Sequence, residues 1–172
     1  MIKLINGSAV DQEVDVIVNA ANRNLMPLAG ICGEIYRRAG LTELDNYCKR
    51  FNTPLNDGDA VITPSFNINN CDYVIHAVGP NFSEDSASID NLYKAYYNSL
   101  KLVKDNNLQS IAFPLISSGI FGGNLENPVK ISTECCLKAF NDFINENRSI
   151  EIDVFLCAFT NHEYEEANKL FN

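Results

Sequence analysis

Positive charge is scarce in this sequence. Its 172 residues carry 13 Lys and Arg against 22 Asp and Glu, a formal net charge of −9, and no basic run is longer than a pair such as Arg37-Arg38. The long-range field of such a chain repels a nucleic-acid backbone, which argues against duplex DNA or RNA as a partner. A small anion remains possible, because a nest of backbone amides binds phosphate without net positive charge on the protein. Long apolar runs are missing as well. No segment approaches the roughly 18 uninterrupted apolar residues of a membrane-spanning helix, and the opening M-I-K-L-I-N-G lacks the apolar core of an export signal. A cytoplasmic protein with no membrane partner is the expectation.

Metal-binding patterns are thin too. The six cysteines, at 32, 48, 71, 135, 136 and 157, form no C-x-x-C pair, and His76 and His162 are far apart in sequence. Neither a metal site nor a cofactor is expected, and the cysteines read as small buried hydrophobes in a reducing compartment. What the chain does have is 46% hydrophobic residues, enough for one sizeable core. A single domain over residues 1–172, and a monomer, is the reading.

The apolar pattern alternates between strands and helices. Ile2 to Ile5, Val14 to Val18, Ala60 to Ile62, Tyr73 to Val78, Gln109 to Ile116 and Ile150 to Phe159 read as six strands. Between them, Ile31, Ile35 and Ala39 share one helical face that stops at Gly40, and Thr42 with Asp45 resembles a capping box for a short second helix. Ser86 to Asn107 keeps the i, i+3, i+4, i+7 rule throughout, and Asn127-Pro128 reads as an N-cap followed by proline at the first helical position. His162 to Phe171 closes the chain as a helix. The alternation argues for a layered α/β sheet.

Two loops stand out. The first leaves the second strand through N-A-A-N (Asn19 to Asn22), passes Pro27 and Gly30, and enters a helix; a helix start offers unpaired amides and the positive end of the dipole to an anion. The second, S-S-G-I-F-G-G from Ser117 to Gly123, follows the fifth strand with hydroxyls and with amides that its glycines leave approachable. Both leave the carboxyl ends of strands, where open α/β sheets bind ligands. Phe121, an aromatic in a glycine-rich turn, either plugs the core or covers a ligand.

V-D-V-I-V-N-A-A-N, V-I-H-A-V-G-P and P-L-I-S-S-G-I-F-G-G, in this order, resemble the macrodomain family of ADP-ribose-binding and ADP-ribosyl-hydrolysing modules, over essentially the whole chain. G-I-C-G-E-I-Y and V-I-H-A-V-G-P-N-F are especially similar to alphavirus macrodomains, and C-A-F-T is closer to MacroD-type hydrolases. The resemblance implies a three-layer α/β/α fold with a mixed central sheet of about six strands. It further implies an ADP-ribosyl hydrolase acting on mono-ADP-ribosylated acidic side chains or O-acetyl-ADP-ribose, with ADP-ribose or a mono-ADP-ribosylated protein as partner.

Carried over by residue, it makes Asn22 and Phe121 catalytic, Asn22 holding a hydroxyl of the distal ribose and Phe121 lying against that ribose. Asn19 braces the loop and Ala21 flanks the ligand. Gly30, Ile31, Cys32 and Gly33 lay amides along the phosphates, and Ser117, Ser118, Gly119, Ile120 and Gly122 wrap the diphosphate from the other side. Phe159 stacks on the adenine, and Ser8 stands where many members have an aspartate. Cys32 replaces the aspartate of the MacroD-type loop, which favours a non-catalytic ADP-ribose reader as the alternative. Within the residues themselves, Cys32 is read as lining the loop, Glu34 as turned away from it, and His76 as a core histidine.

Overall fold

The computed structural model describes residues 1–171. Its six strands are β1 (Ile2–Asn6), β2 (Val16–Ala21), β3 (Ala60–Pro64), β4 (Tyr73–Val78), β5 (Ser110–Pro114) and β6 (Asp153–Ala158). Five helices accompany them: α1 (Ile31–Ala39), α2 (Leu41–Cys48), α3 (Ile89–Asp105), α4 (Pro128–Glu146) and α5 (Asn161–Asn168). The strands form one sheet in the order β1-β6-β5-β2-β4-β3. Every neighbouring pair is parallel except β3, which runs antiparallel to β4.

Strand alternation divides the core in two. Val16, Val18, Ile75, Ala77, Ile111 and Phe113 pack with the buried faces of α3 and α4 and with Ala167 of α5. Ile17, Ala21, Val74, Val78 and Ala112 pack on the opposite face against Ile35, Tyr36 and Ala39 of α1 and Leu44 of α2. This is the expected three-layer α/β/α arrangement with a mixed sheet, and a sheet covered on both faces explains why its central strands are nearly continuous apolar runs.

The helix starts largely follow from side chains in the sequence. Asn127 accepts from the Lys130 amide at 3.1 Å with Pro128 at the first helical position, and Ser88 accepts from Asn91 N at 3.1 Å. Two readings need correction. Thr42 caps nothing: α2 begins at Leu41, directly after Gly40, whose φ of 107° turns the chain out of α1, so Thr42 falls in the first turn. And β2 does not end at Val18 but continues through Asn19 to Ala21. Mid-strand, Asn19 donates from Nδ2 inside the core to His76, its register partner on β4, while its buried Oδ1 finds no partner among the described residues.

Candidate functional site

Because β2 and β5 are parallel neighbours, the loops that follow them open at the same rim of the sheet. Between them lies a cleft of about 580 Å³, a size suited to a small ligand. Its walls are Ala20 to Asn22, Leu28 to Cys32, Gly79 and Pro114 to Phe121. None of these residues carries a formal charge at neutral pH.

The first wall is built on an Asx-type turn. Asn22 Oδ1 accepts from the amides of Asn24 and Met26 at 3.2 and 3.0 Å, and its Nδ2 donates to Met26 O at 2.7 Å, leaving one N–H of the amide group free. Leu25, at φ 54°, is held by the Tyr36 hydroxyl, which donates to its carbonyl. The chain then reaches Gly30, at φ 71°, which starts α1 without a side-chain cap. The first-turn amides are therefore not claimed by a cap and are open to an anion.

The second wall is pinned from behind. Ile116 N donates to the Tyr96 hydroxyl at 2.9 Å, the Ser132 hydroxyl donates to Ile116 O at 2.6 Å, and Tyr96 and Ser132 are themselves 2.6 Å apart, a closed ring joining α3, α4 and the end of β5. Ser117 follows in the left-handed region at φ 58°, buried, its hydroxyl donating to Pro80 O at 2.7 Å. A non-glycine residue held there costs of order 1–3 kcal/mol and persists only where its surroundings impose it. The Ser118 hydroxyl is turned back to Leu115 O at 2.8 Å. The amides of Ser118, Gly119, Ile120 and Phe121 make no hydrogen bond to an acceptor among the described residues, which makes this turn a nest of donors.

Under the first wall runs a buried polar chain. Asn19, 1% exposed, donates from Nδ2 to His76 Nδ1 at 3.0 Å and to Cys32 Sγ at 3.7 Å. His76 Nε2 lies 3.0 Å from the Thr63 hydroxyl, and burial lowers the imidazole pKa from 6.5 to about 4, so the ring is neutral. The Cys32 thiol donates to Met26 O at 3.4 Å, joining the chain to the Asx turn, and burial raises its pKa. It is a thiol at neutral pH. Glu34 is ion-paired to Arg37 at 2.6 Å and Arg38 at 2.7 Å, its hydrogen bonds to them holding its pKa down to about 2, and it stands outside the cleft.

Of the residues singled out in the sequence, Ala21, Asn22, Gly30, Ile31, Cys32, Ser117, Ser118, Gly119, Ile120 and Phe121 share the cleft. Five do not line it. Asn19 lies beneath, as a brace for Cys32. Gly33 faces the Leu28 carbonyl, where a Cβ would collide with it, and Gly122 spends its N–H on Gly119 O at 2.9 Å to close the turn. Ser8 caps a short 3-10 turn, accepting from Val10 N at 3.4 Å. Phe159 projects from the end of β6, 72% exposed. Sequence reasoning assigned no role to Gly79, which also lines the cleft and where a Cβ would strike Ser117 Oγ; the Gly-Pro pair closing β4 was its only mark.

A family model described as Macro domain matches residues 18–132. The chain belongs to the macro domain family. It is 38% identical over 176 residues to the O-acetyl-ADP-ribose deacetylase of Escherichia fergusonii, covering 99% of this chain and 93% of that protein. Among solved structures it is similar to the Oceanobacillus iheyensis macrodomain with ADP, with a TM-score of 0.88 and 29% identity, covering 99% of this chain and 89% of that one. The Trypanosoma brucei macrodomain in complex with ADP-ribose gives a TM-score of 0.85 and 31% identity, covering 99% and 69%. In these terms, the two walls of the cleft in this macro domain are the β2–α1 loop and the β5–α4 loop.

Proposed function

We propose that this macro domain binds ADP-ribose along the rim of the sheet and hydrolyses mono-ADP-ribose esters on acidic side chains, or O-acetyl-ADP-ribose. The observation that carries the reading is the pair of amide arrays, at the start of α1 and over Ser118 to Phe121, facing each other across a cleft lined by no lysine or arginine. The diphosphate lies between them. The distal ribose then reaches Asn22, whose free N–H donates to a hydroxyl, with the Phe121 ring against the sugar. The adenine extends the other way, over β5 and β6 toward the exposed ring of Phe159 and the Ser8 turn after β1.

For an acyl-linked substrate, water attacks the anomeric carbon, the bond from that carbon to the acyl oxygen breaks, and the carboxylate leaves with the electron pair. Positioning is the protein's main contribution. The cleft lining holds neither carboxylate nor imidazole, so the water's proton passes to a phosphate oxygen of the ligand and on to solvent. The deacetylase name of the E. fergusonii relative supports hydrolysis.

A second reading is a reader that binds without turnover. The neutral thiol of Cys32, at the mouth of α1, favours it. Calorimetry against ADP-ribose, ADP and NAD tests the ligand, with ADP-ribose expected to bind tightest. Release of ADP-ribose from an acidic-site mono-ADP-ribosylated protein then separates the two readings. Binding without release, with Cys32→Asp creating turnover, identifies a reader; release by the unaltered protein establishes the hydrolase.

A further inference from the structure

Beyond Asn22 and Phe121 the cleft does not end. A second depression of about 220 Å³ adjoins it and shares Asn22, Gly79 and Phe121 with it. Its far side is built by Arg23, Asp57 and Glu84. Arg23 grips Asp57 through two bonds, Nε to Oδ1 at 2.8 Å and Nη2 to Oδ2 at 3.1 Å, and reaches Glu84 at 3.1 Å. Asp57 is nearly buried, with its side chain 10% exposed, whereas Glu84 is 37% exposed and faces solvent. One guanidinium between two carboxylates leaves a surplus of one negative charge in the depression.

The order of the strands gives this depression its place. Along the rim the sheet runs β1-β6-β5-β2-β4-β3, so a ligand with its adenine over β6 and its diphosphate between β5 and β2 presents its distal ribose toward β4. The depression lies one step further, at the end of β4 and the start of β3. Whatever is attached to the distal ribose projects into it.

We propose that this depression is the acceptor subsite, which takes the modified residue and its immediate neighbours on an ADP-ribosylated protein and favours acceptor sites flanked by lysine or arginine. The inference rests on the reading that ADP-ribose fills the cleft. A single charge at about 6 Å in a partly solvated setting is worth roughly 1 kcal/mol, which corresponds to about fivefold in affinity. Salt weakens the preference, because Glu84 is open to solvent.

The test measures affinity for two peptides carrying ADP-ribose through a hydrolysis-resistant triazole link, one flanked by lysines and one by glutamates, alongside free ADP-ribose. The unaltered protein is expected to bind the lysine-flanked peptide roughly 25-fold more tightly than the glutamate-flanked one, about fivefold gained through one sign of charge and about fivefold lost through the other. Glu84→Gln is expected to remove most of that ratio. Asn24→Lys, a change at an exposed residue of the same depression that leaves the Arg23 grip in place, cancels the surplus charge as Glu84→Gln does and is expected to remove most of the ratio as well. Equal affinity for the two peptides in the unaltered protein, or a ratio untouched by both substitutions while ADP-ribose still binds, overturns the acceptor subsite. Failure of free ADP-ribose to bind the unaltered protein overturns the reading of the cleft as well.

Discussion

His76 makes stability depend on pH in a window where few other groups act. The ring is buried between Asn19 and Thr63, with a pKa lowered from 6.5 to about 4 by burial. In the unfolded chain the imidazole takes up a proton as pH falls through 6.5, whereas in the folded protein it stays neutral until about 4. The unfolded state thus binds more protons across this window, and stability falls as pH falls. Above pH 6.5 the full contribution of the neutral ring is present; between 6.5 and about 4 it is lost at up to 1.36 kcal/mol per pH unit, and below that no more is lost. The whole loss is about 3 kcal/mol, a large part of the 5–15 kcal/mol typical of a domain. Urea unfolding at half-unit steps from pH 8 to 4 measures it. Carboxylates held by ion pairs, such as Glu34, add their own loss toward the acid end, so the quantity to compare is the difference between the parent and His76→Gln. The variant is expected to be less stable at pH 8, because Asn19 and Thr63 lose a partner, and to show a flatter profile between pH 6.5 and 4.5. Parallel profiles for the two proteins would refute the buried neutral imidazole.

Three further expectations follow from the walls of the cleft. Gly33→Ala places a Cβ on the Leu28 carbonyl oxygen, which backbone must move to relieve; ADP-ribose affinity by calorimetry is expected to drop at least tenfold, with about 1–3 kcal/mol lost in urea unfolding. Tyr96→Phe removes the acceptor for Ile116 N and the donor to Ser132, for a loss of about 1–3 kcal/mol and weaker ligand binding, since the second loop starts at Ile116. Cys32, buried and with its thiol pKa raised, is expected to react with iodoacetamide at pH 7.5 far more slowly than a free thiol, a rate read by mass spectrometry.

Much of the fold was legible because single residues carried it. Asn127-Pro128 marked the start of α4, and the nearly continuous apolar run Val14 to Val18, broken only by Asp15, marked a strand covered on both faces. The two loops were legible for the same reason, since Gly30 and the Ser-Ser-Gly turn are local signals for exposed amides. The parts that stayed hidden depend on partners distant in sequence. Asn19 was placed in the loop rather than in β2 because its bond to His76 spans 57 residues. Thr42 looked like a cap because the conformation of Gly40, not a side chain, starts α2. Gly122 looked like a ligand donor because nothing local showed that its N–H closes the turn. The second depression was invisible altogether: Arg23, Asp57 and Glu84 meet only once β3 and β4 are paired.

The reversed direction of β3 has a consequence of its own. Had this strand run with the others, the turn before it, which carries Asp57 and Gly58, would open at the opposite edge, about 17 Å away for five residues. Running backwards, it delivers that turn beside the cleft, where Gly58 N bonds Val78 O at 2.7 Å. Of the residues that would meet the attached polypeptide, Asp57 and Glu84 therefore sit on segments other than those that cradle the phosphates, whereas Arg23 and Asn24 share the β2–α1 loop with them. If the depression takes the acceptor, the segments carrying Asp57 and Glu84 can change length or charge, and with them the preferred target, while the phosphate-facing amides stay as they are.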